Sequence, residues 1–229
     1  MTTTRADGPR DLTAETFQAV LFDMDGTLIS SLASVERSWG RLVREFDVPV
    51  ERIAQFAFHG MPAWDIVDLL LDGRDADERA RAVRRIVELE VADTDDITVL
   101  PGALEALTVL GPERCTIVTS CGEELARARL RAAGLPAPAT LVTADDITRG
   151  KPDPEPFLLG AARLGADPTR CLVVEDAASG LTAGRAAGAA TLGLRTTAGG
   201  RELDADRVLD DLGSVRFVVT PAGVRVQIG

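Results

Sequence analysis

Val20-Leu21-Phe22-Asp23-Met24-Asp25-Gly26-Thr27-Leu28 runs three apolar residues straight into two carboxylates one residue apart, then into a glycine and a hydroxyl. A short apolar run closed by Asp and Gly reads as a buried strand ending in a loop. In an open α/β sheet, ligands bind just beyond the carboxyl ends of such strands. Alternation along a strand puts positions i and i+2 on one face, so Asp23 and Asp25 are expected close together. Two like charges at short range need a cation, a shared proton or water. The same residues also fit a plain Asx turn at a strand end, and the residues downstream decide between the two.

Outward from this stretch the chain changes character twice. Over residues 29–98 strand-like runs vanish and helical periodicity takes over. Val35, Trp39, Leu42, Val43 and Phe46 fall on one helical face, and Val48-Pro49 breaks it. Trp64, Val67, Asp68 and Leu71 start another helix, with Pro62 at its first turn. Residues 77–91 are highly charged, with Ala80, Val83, Val87 and Val91 as a single apolar stripe. A structureless loop of this length is implausible inside a compact domain, so a small inserted helical domain is the natural reading. Beyond Pro101-Gly102, strands and helices alternate: strands at 115–119, 140–143, 172–175 and 190–194, helices at 123–133, 154–164 and 178–187. Each of those helices is followed by a glycine (Gly134, Gly165 or Gly188), as a C′ residue requires. Alternation of this kind implies a parallel sheet with crossover helices on both faces. Residues 215–219 and 224–228 alternate around Pro221-Ala222-Gly223 and read as a terminal hairpin. The expected organisation is therefore a loose tail over 1–16, an α/β core over 17–28 and 99–229, and a helical unit over 29–98.

Composition bounds the function. The 229 residues are 45% hydrophobic and 27% charged, which fits a globular protein with a real core. A formal net charge of −11 argues against general nucleic-acid or anionic-membrane binding. An anionic substrate would need a locally positive site. Cys115, Cys121 and Cys171 lie far apart and form no metal or disulfide pattern, so they read as buried thiols in a reducing cytoplasm. No apolar run is long enough to span a membrane, and the polar start lacks a signal-peptide segment.

Three further polar sites fall at strand ends or helix starts. Thr119-Ser120 closes one strand, Lys151 stands in Arg149-Gly150-Lys151-Pro152-Asp153-Pro154 before a helix, and Glu175-Asp176 closes another strand. Each alone fits a helix cap or a solvated lysine. Gathered along one sheet edge with Asp23 and Asp25, they make a phosphate and Mg²⁺ site. Asp23 and Asp176 supply carboxylates to the metal, with Glu175 direct or through water. Lys151 places positive charge against a phosphoryl group and the nucleophile. The Thr119 hydroxyl and nearby backbone N–H groups hold phosphate oxygens. A carboxylate can attack phosphorus to give an aspartyl-phosphate.

These motifs, Phe22-Asp23-Met24-Asp25-Gly26-Thr27, Val118-Thr119-Ser120, Gly150-Lys151-Pro152-Asp153-Pro154 and Val174-Glu175-Asp176-Ala177, resemble in order and spacing those of the haloacid dehalogenase superfamily in its phosphatase branch. The resemblance implies a Rossmann-like parallel sheet core with helices on both faces and an all-helical cap inserted after the first strand. It makes Asp23 the nucleophile and Asp25 the general acid/base, with the Asp25 backbone carbonyl also on Mg²⁺. Thr119 and Ser120 then bind the transferred group, Lys151 orients it, and Glu175 and Asp176 anchor the metal.

Within that family, Phe58-His59-Gly60-Met61-Pro62-Ala63 and the segment around Lys151 resemble the sugar- and polyol-phosphate phosphatases, although relatives often carry Arg where Met61 stands. His59 either packs at the cleft or hydrogen-bonds a substrate hydroxyl, while Met61 and Trp64 are expected in cap packing. A β-phosphoglucomutase-like mutase is the alternative. The resemblance argues against it, since mutases use an Arg where Ala63 stands and a His where Val35 stands. A phospho-Asp receiver also gathers acids, a hydroxyl and Lys around Mg²⁺, but has half this length and no cap. The expected setting is a cytoplasmic monomer or weak dimer acting on a small phosphorylated metabolite, without nucleic-acid or membrane partners.

Overall fold

The structure, a computed structural model, describes residues 8–49, 51–54, 60–197 and 202–229. Strand β1 (Ala19–Phe22) leads into the short β2 (Ile29–Ser30), then helices α1 (Leu32–Glu45), α2 (Glu51–Ala54), α3 (Ala63–Leu70) and α4 (Ala76–Ala92), and back through the short β3 (Thr98–Val99). The chain continues as α5 (Ala103–Arg114), β4 (Cys115–Ile117), α6 (Glu123–Ala132), α7 (Glu155–Arg163), β5 (Cys171–Glu175), α8 (Ala178–Ala186), β6 (Ala190–Leu194) and β7 (Arg207–Leu209). A hairpin, β8 (Val215–Thr220) and β9 (Gly223–Ile228), completes it.

The main sheet is parallel throughout, in the order β4-β1-β5-β6-β7. It is buried on both faces, which is why its strands read as unbroken apolar runs. Alternation sends Val20 and Phe22 into one core, shared with Ile117, Leu172 and Val174. Ala19 and Leu21 go into the other, shared with Val173 and Phe157. The β8–β9 hairpin covers the first face through Phe217, whose ring meets Phe22 edge-on at 5.8 Å. Crossover helices end where glycine takes a left-handed backbone, at Gly134 (φ 69°), Gly165 (φ 63°) and Gly188 (φ 83°), as the sequence predicts. The α/β core with an inserted all-helical cap is the architecture observed.

β2 and β3 pair antiparallel, Ile29 opposite Val99 and Ser30 opposite Thr98, so the chain leaves for the cap and returns on one two-stranded ribbon. The cap has its own core of Trp39, Leu42, Val43, Val67, Leu70 and Ile86. Two predicted stripes are rotated from their actual positions. In α3 the buried residues are Ile66, Val67 and Leu70, and Asp68 is exposed. In α4 they are Ala82, Ile86, Leu89 and Glu90, and Ala80 is exposed. The cause in α4 is that two apolar lines run along one helix. Ala82, Ile86 and Leu89 fill the cap core, while Val83 and Val87 line a cleft.

Two other expectations need correction. The strand expected at 140–143 shrinks to one bridge between Val118 and Val142. Thr143 turns away at once to cap a short 3₁₀ turn, donating its N–H and hydroxyl to Asp146. The loose tail expected over 1–16 does not describe residues 8–16. Leu12 is buried in the main core, and the Arg10 N–H donates to the Asp206 carboxylate at 2.9 Å. An apolar side chain is more stable packed into a core than in water.

Candidate active site

β1, β4 and β5 are neighbours in the sheet, so the residues that end them converge on one edge. Asp23 stays in the ladder, its N–H donating to Val174 O at 2.9 Å, which fixes its side chain beside the end of β5. There Lys151, 1% exposed, donates to Asp23 Oδ1 at 2.5 Å, to Glu175 Oε1 at 2.7 Å and to Val118 O at 3.0 Å. All three ammonium protons are thereby used. The same charge lies 5.0 Å from the centroid of the Phe157 ring. Glu175 Oε2 accepts the N–H groups of Asp176 and Ala177, at 3.0 and 2.8 Å, where α8 begins.

Gly180, one turn into α8, lets that helix lie directly on Glu175, and a Cβ there would overlap the carboxylate. Gly180→Ala is therefore expected to cost about 1–3 kcal/mol as an overpacking change. The reading is a lower midpoint of denaturant unfolding at unchanged slope. An unchanged midpoint would mean that Glu175 is free to move, contrary to its grip by three donors, Lys151 Nζ and the N–H groups of Asp176 and Ala177.

Asp23, Glu175 and Asp176 can each offer an oxygen within 4.8 Å of the others, and all three are buried. Three carboxylates against one lysine leave the cluster short of positive charge. Burial, then the neighbouring Glu175, holds the Asp23 carboxyl well above the usual range, with Lys151 opposing. Burial and Glu175 likewise push Asp176 up to about 7, opposed by the Thr197 hydroxyl. Burial works against the charge on Lys151, but Asp23 and Glu175 hold its pKa above the ordinary lysine value. A hard divalent cation with an affinity for oxygen ligands fits such a donor set and would neutralise it.

The Asp25 carboxylate is not among the partners of Lys151. Its Oδ1 accepts from Ser31 Oγ at 2.6 Å and from Arg129 Nη1 at 2.9 Å, and its Oδ2 accepts from Cys121 Sγ at 3.2 Å. The awkward pair of carboxylates is thus resolved by two separate cations, Lys151 for Asp23 and Arg129 for Asp25. Arg129, 2% exposed, also donates from Nη2 to Glu90 of the cap at 3.1 Å. Burial raises the pKa of Glu90, with Arg129 opposing. Cys121 is a correction to the expectation of three buried thiols. Cys115 and Cys171 are buried, but Cys121 is half-buried and lines the cleft. Burial of its sulfur, then the charge of Asp25, raises its pKa well above that of a free thiol, so it is a donor here.

Arg129, Glu90, Ser31 and Cys121 were not among the sequence candidates. Two carried a signal. Arg129 stands four residues after Leu125 and Glu90 four after Ile86, so each is a charge on the apolar face of its helix.

Thr119 is buried, and its hydroxyl accepts the Cys121 N–H at 3.1 Å. Ser120 Oγ donates to Gly60 O of the cap at 2.9 Å. Gly60 (φ 78°) lies against Ala177 and Ser179, and Gly150 lies against Pro62, so the cap rests on three core loops. Between them is a cleft of about 390 Å³ lined by Asp23, Asp25, Thr119, Ser120 and Asp176 from the core, and by residues of α1, α3 and α4 from the cap. Met61 and Trp64 line it as well, beyond the packing role expected of them. His59 lies outside the described residues. No helix among the described residues is long and apolar enough to cross a membrane.

The chain is 39% identical over 206 residues to hexitol phosphatase A of Escherichia coli (strain K12), spanning 89% of this chain and 95% of that protein. It is 35% identical over 208 residues to validoxylamine A 7'-phosphate phosphatase of Streptomyces hygroscopicus subsp. limoneus, spanning 88% and 97%. Among solved structures, a β-phosphoglucomutase from Clostridium difficile superposes with a TM-score of 0.74 over 86% of this chain and 92% of its own. At 22% identity that likeness shows the shared fold alone. Residues 17–188 match the family model described as haloacid dehalogenase-like hydrolase, a span that holds β1, the cap and every motif above. By sequence, fold and the grouping of its acidic edge, the chain belongs to the haloacid dehalogenase-like hydrolases.

Proposed function

We propose that the protein is a Mg²⁺-dependent phosphomonoesterase that removes phosphate from a small phosphorylated sugar or polyol through an aspartyl-phosphate on Asp23. The observation that carries this reading is the Lys151-centred cluster at the end of β1, open to a cleft whose far wall is the cap. The named activities of the relatives, on a hexitol phosphate and on validoxylamine A 7'-phosphate, support the substrate class.

In this mechanism Lys151 fixes one oxygen of Asp23 and leaves the other as nucleophile toward phosphorus. The Thr119 hydroxyl and Ser120, with N–H groups of the loop before α6, hold the non-bridging oxygens as charge develops on them. Asp25, set in the cleft wall by Ser31 and Arg129, gives a proton to the leaving alcohol and then takes one from the water that hydrolyses the phosphoenzyme. Mg²⁺, when bound, supplies positive charge to the phosphoryl oxygens; Asp23, Asp176 and the backbone carbonyl of Asp25 would hold it, with Glu175 behind them. The cap excludes bulk water from the cleft, which strengthens every charge interaction inside it. The residue 17–28 and 99–229 portion carries this chemistry, and residues 29–98 choose the alcohol. The setting is the cytoplasm, with a monomer or weak dimer and no nucleic-acid or membrane partner.

The test is steady-state hydrolysis of a panel of phosphorylated sugars, polyols and glycerol phosphates, compared by kcat/KM. Sustained turnover of at least one sugar or polyol phosphate is expected. Full chelation with EDTA is expected to lower turnover by at least about a hundredfold, since metal charge supplies several kcal/mol to such transition states. Added Mg²⁺ should restore the rate and raise Tm, because a cation bound to the native cluster alone stabilises it. Activity that survives chelation would overturn the metal assignment, and a single equivalent of phosphate released would favour a receiver.

A further inference from the structure

Helix α4 lays Val83, Val87 and Glu90 along the cleft at positions i, i+4 and i+7. Among the described cap residues that line the cleft, Glu90 is the one buried charge. Val35, Trp39, Met61, Val83 and Val87 are apolar, and Glu36 is exposed. Cap packing does not call for a carboxylate there, since an apolar side chain at 90 would extend the stripe of Ala82, Ile86 and Leu89. Two donors face the Glu90 carboxylate and oppose the effect of its burial, Arg129 Nη2 at 3.1 Å and the Trp39 indole.

Its partner is incompletely satisfied. Arg129 donates to Asp25, Cys121 and Glu90, but its Nε–H is buried without a hydrogen-bond partner. A buried donor of this kind costs free energy until an acceptor arrives. A carboxylate beside a forked cation, in a mostly apolar wall, is the complement of neighbouring hydroxyls, each of which donates one hydrogen bond and accepts others. The pair adjoins Asp25, where the leaving oxygen would stand.

We propose that Glu90 and Arg129 are specificity-determining residues that bind adjacent hydroxyls of the leaving alcohol, so that polyhydroxylated phosphate esters are selected over esters of apolar alcohols. This rests on the phosphatase reading above. Glu90 is the informative position, because Arg129 also touches Asp25 and its loss would disturb the chemistry itself.

The experiment compares kcat and KM of the full-length Mg²⁺-loaded enzyme and its Glu90→Gln and Glu90→Asp variants on two esters, a linear hexitol phosphate and 4-nitrophenyl phosphate. Both present the same phosphate and differ in the alcohol. Loss of a hydrogen bond to a charged group is expected to lower kcat/KM of Glu90→Gln for the hexitol ester by about 10- to 100-fold. The loss should appear mainly as a raised KM, because the hydroxyl contacts exist before and during the reaction. The loss on the aryl ester should be at least about tenfold smaller, and the variant with the carboxylate kept, Glu90→Asp, should retain more of the discrimination. Equal losses on the two esters, or a loss confined to kcat, would overturn the proposal in favour of a structural strut. So would an unchanged ratio. Failure of the unsubstituted enzyme to turn over either ester would overturn the phosphatase reading itself, and this inference with it.

Discussion

Asp23→Asn is expected to abolish turnover while leaving the protein at least as stable as before. Asn keeps the shape of Asp and can still accept the Lys151 hydrogen bond made at 2.5 Å, but its amide is no nucleophile for phosphorus. Removal of a catalytic nucleophile can cost on the order of a million-fold in kcat, as it does in a serine protease. The stability half of the expectation comes from charge. Asp23 is one of three buried carboxylates around a single lysine, and burial and Glu175 both disfavour its ionised form. Neutralising it relieves repulsion with Glu175 and Asp176, so Tm measured without Mg²⁺ should hold or rise. A variant that kept more than about one-hundredth of the rate would remove Asp23 from the nucleophile's role.

Lys151→Met should act in the opposite sense on stability and in the same sense on rate. Met fills much of the volume but leaves Asp23 and Glu175 buried without their cation, and Val118 O without its donor. Breaking a buried pair from one side costs about 3–5 kcal/mol, a large fraction of the 5–15 kcal/mol that holds a typical domain together. The deficit should depend on pH with a definite sign. The Asp23 pKa is already raised in the folded state with Lys151 present, and loss of the cation raises it further. A carboxyl with its folded pKa above its unfolded one binds more protons folded, so stability falls as pH rises through that window and returns as pH is lowered. Urea midpoints across the acid-to-neutral range would read this directly. A Lys151→Met protein as stable as the parent at neutral pH would contradict the tightly paired cluster.

The two variants together separate catalysis from architecture, since both are expected inactive but they move Tm in opposite directions. The same contrast explains how much the sequence disclosed. Asp23, Lys151 and Glu175-Asp176 were legible because a strand end, a proline-flanked lysine and a second acidic strand end follow from local pattern. A parallel sheet then brings them together. Thr119 was legible for the same reason. Arg129 and Glu90 were not, because each meets its partner across the boundary between α6 and the cap, and no local rule states which face of α4 turns toward the core. The rotated stripe has that origin. α4 carries two apolar lines, and helical period alone cannot say which fills the cap core and which walls a cleft. Likewise Ser31 reads as an ordinary residue before a helix; the loop that bridges Asp25 to Ile29 carries its hydroxyl to Asp25, just ahead of the closure of β2 on β3.

That closure reaches beyond this one enzyme's site. Because Ile29 faces Val99 and Ser30 faces Thr98, the points where the backbone departs and re-enters lie side by side. To the rest of the molecule, everything between them is equivalent to the tip of a hairpin. The entropy of joining two ends depends only weakly on how much chain separates them. Helices can therefore be lengthened, shortened or exchanged between these two strands at little cost in closure entropy, so long as Ser31 and the Glu90–Arg129 contact beside Asp25 are kept. Under the proposed mechanism, such a design lets selection or an engineer retune which alcohol is accepted and leave the phosphorus chemistry as it stands.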